Sequence, residues 1–262
     1  MRPVTWRSFV AMGDSFTEGL DDPYPAGDGY RGWADLVAAR LAADVTGFRY
    51  ANLAVRGRLF DGVVAEQVPT ALAMRPDLVS FAAGGNDALR RHFDGPAMMA
   101  RFEETVAELR AAGADVLVFR FVDVSRRLPA KRLIAPRTAF VNESLAGIAQ
   151  RQGARLVDLH ADQVIATNGL MWSDDRLHLS GAGHRRVAGQ VLRVLGIEPD
   201  QDWLAVPAPP PAPPWTSARA ADVRWAARYL APWLKRRLTG RSSGDLVSAK
   251  RPELGPMELP GG

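Results

Sequence analysis

Five short apolar runs recur along the first 160 residues, and longer stretches of mixed polarity separate them. The runs cover residues 8–12, 48–53, 78–83, 116–121 and 155–159. Short runs in which apolar residues predominate without alternating with polar ones are typical of strands buried on both faces of a parallel sheet. The pattern therefore predicts a central parallel sheet of about five strands.

The stretches between the runs carry apolar residues at helical spacing, so that each stretch has one face able to pack on a sheet. The three clearest faces hold Trp33, Leu36, Val37 and Leu41, with Arg40 on the same face; Met99, Phe102, Val106 and Leu109; and Val187, Ala188, Val191, Leu192 and Leu195. Helices that alternate with parallel strands cover both faces of the sheet through right-handed crossovers. The sequence thus predicts an α/β fold, a three-layer αβα sandwich.

The composition changes after Glu198, and the change divides the chain. Residues 1–198 are predicted to form one domain, and residues 199–216, which include PAPPPAPP, a proline-rich extended linker. Residues 217–239 have the pattern of an amphipathic basic helix that is interrupted or restarts at Pro232. Glycine, proline, serine and charged residues dominate residues 240–262, for which we predict disorder.

Composition narrows the classes of protein. With 262 residues, of which 47% are hydrophobic, the chain has enough material for one sizeable core. The absence of cysteine excludes disulfides, thiolate metal sites and a cysteine nucleophile. No run of 18 apolar residues and no signal-peptide pattern is visible, so we expect a cytoplasmic protein that does not cross a membrane.

The positive charge is concentrated in the C-terminal part. Residues 217–262 hold nine Lys and Arg against four Asp and Glu, whereas the rest of the chain is nearly neutral. We therefore expect no nucleic-acid partner. Three interpretations of residues 217–239 stay open: the segment folds back on the domain, pairs with another protomer, or lies on an anionic membrane surface.

A hydroxyl, an imidazole and a carboxylate suggest nucleophilic catalysis. Ser15 follows the first strand in a Gly13-Asp14-Ser15 turn. In a parallel sheet, the turns after the strands lie at one edge, and the segment before the last helix of the domain reaches the same edge. In that segment His178 lies three residues after Asp175, a spacing at which Asp175 can fix the imidazole tautomer. The other ring nitrogen can then take a proton from Ser15. Asp174 competes with Asp175 for the histidine, and the spacing favours Asp175.

Three groups are candidate donors to an oxyanion. They are the backbone N–H of Ser15, the backbone N–H of Gly57 and the side-chain amide of Asn86, which follows a Gly-Gly turn. Phe16 and Trp172 are candidates for the lining of the substrate pocket, together with Tyr24 and Tyr30.

Four blocks in order carry a family resemblance: Gly13-Asp14-Ser15, NLAVRG at 52–57, GGND at 84–87 and DRLH at 175–178. Together they resemble the GDSL or SGNH hydrolase family over residues 7 to 198. The resemblance implies a flavodoxin-like sandwich with Ser15 as nucleophile, His178 as base, Asp175 as its orienting carboxylate, and Gly57 and Asn86 as oxyanion donors. The family's usual leucine after the serine is Phe16 here.

Other polar residues fit structural roles better. We expect Asp14 to brace the turn, Asp87 to bond nearby backbone amides, and His184 to be buried and hydrogen-bonded among the apolar residues of the last helix. A metal site built from Asp14, Asn86, Asp87 and His184 is disfavoured because no paired-histidine spacing supports it. The basic stretch 120–137 is either a solvated loop or a flap that attracts an anionic substrate.

The sequence therefore predicts a serine-dependent hydrolase of carboxylic esters that forms an acyl-enzyme and needs no cofactor or metal. Short acyl chains or O-acetyl groups are favoured, because no long apolar lid is evident. The same residues would serve an acyltransferase or a thioesterase. A different class, an adaptor with a vestigial site that binds a membrane or partner through residues 217–239, is the remaining alternative.

Overall fold

A computed structural model of the chain describes residues 5–25, 28–127, 131–208, 214–239 and 242–257, apart from the side chains of Arg126, Ala218, Leu234, Arg236, Arg237 and Leu238. Six strands form one sheet in the order β5-β4-β3-β1-β2-β6. The strands are β1 (Ser8–Gly13), β2 (Arg49–Asn52), β3 (Leu78–Ala82), β4 (Asp115–Arg120), β5 (Arg155–Asp158) and β6 (Arg251–Pro256). The first five are parallel to their neighbours, and β6 pairs antiparallel with β2.

Helices cover both faces of this sheet. They are α1 (Ser15–Glu18), α2 (Gly32–Asp44), α3 (Phe60–Gly62), α4 (Val68–Met74), α5 (Gly85–Ala88), α6 (Gly95–Ala111), α7 (Lys131–Gln152), α8 (Gln163–Thr167), α9 (Gly181–Leu195), α10 (Trp215–Trp225) and α11 (Ala231–Leu238). The long helices α2 and α9 lie against each other on one face, and α6 and α7 lie together on the other. The predicted α/β sandwich is confirmed.

Strand β1 shows how the sequence specifies two apolar cores. Because successive side chains of a strand point to opposite faces, Phe9 and Ala11 pack under α2 and α9, while Val10 and Met12 pack under α6 and α7. All four side chains are fully buried. A strand with helices on both faces has no solvated side, which explains its continuous apolar run.

The prediction of disorder for residues 240–262 is wrong for the part that forms β6. Tyr50 of β2 is in register with Gly255, and Asn52 with Arg251, so β6 extends the sheet beyond the predicted five strands. Two prolines and a glycine in six residues give β6 no alternating apolar pattern, and its pairing depends on a strand 200 residues earlier. Composition therefore could not reveal it. Residues 258–262 lie outside the described part.

A helix close to the predicted bounds 217–239 is present. It runs from Trp215 to Leu238, and its middle, Ala226–Leu230, widens into a π-helical turn before α11 begins. Pro232 explains the widening, because proline has no N–H to donate to the preceding turn and its ring clashes with the carbonyl there. Within the described residues, no helix is both long and apolar enough to cross a membrane.

Candidate active site

The turn after β1 is closed by a glycine and capped by an aspartate. Gly13 has φ +150°, and a Cβ there would lie 2.5 Å from the carbonyl oxygen of Ala82 on the neighbouring strand, so a side chain does not fit. The Gln67 side chain bonds both the N–H and the C=O of Gly13, at 2.8 and 2.9 Å. Asp14 then caps α1 by accepting from the N–H of Phe16. Ser15 consequently starts a helix at the carboxyl end of β1.

Ser15, His178 and Asp175 form a continuous hydrogen-bonded chain. His178 Nε2 lies 3.0 Å from Ser15 Oγ, and His178 Nδ1 lies 2.5 Å from Asp175 Oδ2. The other carboxylate oxygen of Asp175 accepts from the N–H of Leu177 and of His178, both at 2.9 Å. The Asp175 carboxylate is therefore fixed by its own turn while it holds the imidazole. Asp174 makes no such contact with His178.

The two titratable members of this chain shift in opposite directions. Burial by itself would raise the pKa of Asp175, but the hydrogen bond and charge of His178, together with the turn amides, hold that pKa well below its usual range. Burial opposes protonation of His178, yet the hydrogen bond and charge of Asp175 outweigh it and raise the pKa of the imidazole. The pair thus favours imidazolium, the form that exists after a proton is taken from a hydroxyl.

A second carboxylate, which the sequence analysis missed, faces the same imidazole. Asp21 Oδ2 lies 4.0 Å from His178 Nδ1, and the hydroxyl of Ser173 lies 2.7 Å from both Asp21 Oδ2 and Asp175 Oδ1. Asp21 has φ +70°, an uncommon backbone conformation for a residue with a side chain. Asp21, Asp175 and His178 are also the one group of possible metal ligands among the described residues. The Asp175–His178 hydrogen bond and the Ser173 hydroxyl that lies between the two carboxylates account for their closeness.

Asp14 braces the turn as predicted. Its Oδ2 accepts from the side-chain amide of Asn86 at 2.9 Å, so it connects the β1 turn to the Gly84-Gly85 turn. Burial raises the pKa of the Asp14 carboxyl to about 6. Asp87 Oδ2 accepts from the N–H of Phe60 at 3.0 Å, which is the structural role expected of it.

His184 is buried and bonded on both ring nitrogens, which confirms the structural role predicted for it. Nδ1 lies 3.3 Å from the N–H of Trp33, and Nε2 lies 3.1 Å from the C=O of Leu20. Burial lowers the pKa of this imidazole to about 4. With both nitrogens occupied and the ring kept neutral, His184 has no free position to offer the disfavoured metal site.

Of the two candidate oxyanion donors outside the Ser15 turn, one lines the cavity that contains Ser15 and the other does not. Asn86 lines the same cavity as Ser15 and His178, but its amide donates to Asp14 and to the C=O of Arg58 at 3.1 Å. Gly57 does not line that cavity. It lies in the loop after β2 with φ +75°, and a Cβ there would be 2.2 Å from Ser242 Oγ of the C-terminal segment. The C-terminal segment thus packs directly against this glycine.

An apolar cavity of about 140 Å³ opens beside Ser15 and His178. Phe16 and Trp172, the candidates for the substrate pocket, line it, and Phe121, Val122 and Leu177 are among its other walls. Tyr24 and Tyr30 do not: the Tyr24 hydroxyl bonds Asp35, and the Tyr30 ring stacks under Arg56. Those two predictions are wrong because both half-buried rings have polar partners away from the cavity.

The basic stretch 120–137 is only partly a loop, because α7 begins at Lys131. Arg120 pairs with Asp158 at 2.8 Å, Arg137 donates to the C=O of Arg90 at 2.6 Å, and Arg127 lies 4.3 Å above the Trp172 ring. These three guanidinium groups therefore contact other parts of the protein. The contacts favour neither a solvated loop nor a flap that attracts an anionic substrate for the stretch as a whole. Residues 128–130 lie outside the described part.

Comparisons with known proteins identify the family of the chain. The model of the GDSL-like Lipase/Acylhydrolase family matches residues 11–186, about two thirds of the chain. The GDSL lipase Rv0518 of Mycobacterium tuberculosis is 29% identical over 200 residues, 72% of this chain and 81% of that protein. Esterase TesA of Pseudomonas aeruginosa is 29% identical over 164 residues, 58% of this chain and 78% of that protein.

Solved structures support the fold. The crystal structure of TesA superposes with a TM-score of 0.59 at 25% identity and covers 72% of this chain and 97% of that one. A catalytic mutant of Axe2, an acetylxylan esterase from Geobacillus stearothermophilus, superposes with a TM-score of 0.62 at 22% identity, covering 76% of this chain and 96% of that one. The second match is informative about fold alone.

The fold and the family match define the class of protein, a carboxylic ester hydrolase. The chain belongs to the GDSL-like lipase/acylhydrolase family, also called SGNH, as the resemblance of its four sequence blocks predicted. The helix at 215–238 and strand β6 lie beyond the matched residues.

Proposed function

We propose that Ser15 is the nucleophile, His178 the general base and Asp175 the carboxylate that orients it. One observation carries the assignment: a single imidazole bridges the Ser15 hydroxyl at 3.0 Å and the Asp175 carboxylate at 2.5 Å. Asp175 keeps Nδ1 protonated, so that the lone pair of Nε2 faces the hydroxyl. The backbone N–H of Ser15 and the Asn86 amide, which line the cavity, are the proposed oxyanion donors. The backbone N–H of Gly57 is proposed as a third donor on the family resemblance alone, since Gly57 does not line the cavity.

The reaction proceeds in two balanced halves. Ser15 Oγ attacks the acyl carbon and its proton passes to His178 Nε2; the same proton then goes to the departing alkoxide, leaving an alcohol and an acyl-serine. A water molecule next gives a proton to Nε2 and attacks the acyl carbon, and that proton returns to Ser15 Oγ as the carboxylic acid leaves. For Asn86 to serve the oxyanion, its amide must release either Asp14 or the C=O of Arg58.

The cavity supports a longer acyl group than the sequence favours. A cavity of about 140 Å³ is close in size to an engineered apolar cavity of about 150 Å³ that binds benzene. An acetyl group would leave most of this space empty, whereas an acyl chain of roughly six carbons would fill it. We therefore propose carboxylic esters with a medium apolar acyl chain as the substrate class. The names of the curated relatives, an esterase and a lipase, are consistent with it.

A panel of p-nitrophenyl esters from acetyl to palmitoyl tests this function. We expect kcat/KM to peak near hexanoyl, and Ser15→Ala to abolish both turnover and labelling by an organophosphonate. Thr17→Ser is a matched hydroxyl control on the same helix. Labelling that persists in Ser15→Ala would assign the nucleophile elsewhere, and a maximum at acetyl would contradict the proposed acyl chain.

A further inference from the structure

We propose that the C-terminal helix α10 positions the Asp175–His178 loop, with Trp225 as the positioning residue; this inference rests on the function proposed above. The indole N–H of Trp225 donates to the backbone C=O of Asp175 at 2.9 Å. Asp175 is thereby fixed at both ends: its carboxylate is held by the turn and His178, and its peptide by a helix from outside the family match.

The next residue of the loop is fixed by the same helix. Arg176 pairs with Asp222 at 2.9 Å, and its guanidinium carbon lies 4.9 Å from the centre of the Trp225 ring. Asp222 and Trp225 are three residues apart and lie on one face of α10, so one helix face supplies both contacts. Arg176 has φ +63°, a sparsely populated conformation that persists only when its surroundings hold it.

The consequence for catalysis follows from the shortness of the loop. Only Arg176 and Leu177 separate the carboxylate from the imidazole, so any rotation of the Asp175 peptide is transmitted to the ring. A displacement of about 1 Å at a reacting group can cost on the order of 100-fold in rate. Trp225 therefore preserves the 3.0 Å contact between His178 and Ser15 without touching the substrate. Of the interpretations kept open for residues 217–239, this contact favours folding back on the domain.

The test is Trp225→Phe, which keeps a ring over Arg176 and removes the N–H donor. Trp215→Phe is the matched control, because Trp215 starts the same helix and is 72% exposed. Trp225→Phe loses one neutral hydrogen bond, so we expect kcat to fall about tenfold with KM nearly unchanged. Trp215→Phe loses no contact to the Asp175–His178 loop, so its kcat should equal that of the wild type. Circular dichroism checks that both variants stay folded.

A pH profile separates positioning from simple stabilisation. The titratable groups whose charges interact with His178 are Asp175, Asp21, Asp14 and His184. If Trp225 positions Asp175, its loss weakens the Asp175–His178 contact, and the pKa in the kcat/KM profile falls. A merely structural role would lower the melting temperature and leave that pKa unchanged.

A milder variant keeps the proposal testable if Trp225→Phe unfolds. In Asp222→Asn the side chain keeps nearly the same shape but loses the charge that pairs with Arg176. We expect kcat to fall two- to fivefold, because a half-exposed ion pair contributes about that much. Wild-type kcat and pKa in both Trp225→Phe and Asp222→Asn would overturn the positioning role. Activity that persists in Ser15→Ala would instead overturn the proposed function.

Discussion

Lys250 Nζ lies 2.8 Å from Asp35 Oδ1 in the protein interior, and this ion pair joins the start of β6 to helix α2. Asp35 is 1% exposed and also accepts from the hydroxyl of Tyr50 at 2.8 Å. Lys250 donates to the C=O of Tyr30 and of Arg31 as well, at 2.9 and 2.6 Å. Burial lowers the pKa of Lys250, although the charge and hydrogen bond of Asp35 oppose the shift.

Replacing Lys250 by methionine should therefore destabilise the whole domain. The Asp35 charge would stay buried without its cation, a situation that costs about 3–5 kcal/mol. Urea denaturation measures the loss, and Lys235→Met, at an exposed position on α11, is the control. A loss below about 1 kcal/mol would mean that the segment before β6 contributes little to stability.

Activity should rise with pH through a pKa above the usual histidine value of about 6.5, because Asp175 raises the pKa of His178 and only the neutral imidazole accepts a proton. In Asp175→Asn the hydrogen bond and charge that raise this pKa are gone, so the profile should move to lower pH while kcat falls by about 10³ to 10⁴. A profile that does not move would contradict the assigned pair.

Asp21→Asn should have a smaller effect in the same direction. Asp21 contributes a negative charge 4.0 Å from His178 Nδ1 without the direct hydrogen bond that Asp175 makes. We expect the pKa in the kcat/KM profile to fall while kcat stays within about threefold of wild type, since a partly exposed charge is screened. A loss as large as that of Asp175→Asn would make Asp21 the orienting carboxylate.

Asp14 should make stability depend on pH. Burial raises its pKa from 3.8 to about 6, so the folded protein holds this proton more tightly than the unfolded chain. The stabilisation is complete below about pH 3.8 and is lost as the pH rises through about 6, a difference of about 3 kcal/mol. Asn is a neutral carboxamide at every pH, so Asp14→Asn should lack this slope.

The measurement is the free energy of unfolding of both proteins at pH 4 and pH 7.5. The gap between wild type and Asp14→Asn should change by about 2.4 kcal/mol, somewhat less than the full difference because the stabilisation is not yet complete at pH 4, with the wild type relatively weaker at pH 7.5. An equal gap at both values would mean that the Asp14 carboxylate stays ionised and well solvated at pH 4.

Filling the cavity should change the acyl preference. Val122→Phe adds a ring to a wall of the cavity, and each methylene excluded from an apolar pocket is worth about tenfold or more in kcat/KM. The ratio of hexanoyl to acetyl turnover should fall at least tenfold. Val206→Phe, at a position that is 66% exposed, should leave the ratio unchanged. An unchanged ratio in Val122→Phe would place the acyl chain elsewhere.

Local patterns and topology predicted most of the fold and the central contact of the site. The five parallel strands follow from continuous apolar runs, and the meeting of Ser15 with His178 follows from the rule that strand ends share one edge. Gly57 and Asn86 were identified from their glycine-containing turns and by resemblance, and neither gave information on the partners that surround them.

What the sequence did not reveal depends on distant pairings. Nothing in the sequence except nearness to the Ser15 turn indicates that Asp21 belongs to the site. Its contact with His178 depends on the fold, because the two residues are about 150 positions apart. Trp225 fits an amphipathic stripe and could equally have faced a membrane. Strand β6 has neither period nor apolar run, and only its register with β2 and the ion pair of Lys250 with the buried Asp35 explain it.

Strand β6 also determines how one side of the sheet meets other molecules. If β2 were the last strand, its free N–H and C=O groups could recruit a strand from a neighbouring chain, a common route to aggregation. Pro252 and Pro256 of β6 have no N–H to offer, so the strand that closes this side is a poor template for strand addition. Shortening the protein to the family boundary would remove this protection and expose β2 to intermolecular pairing.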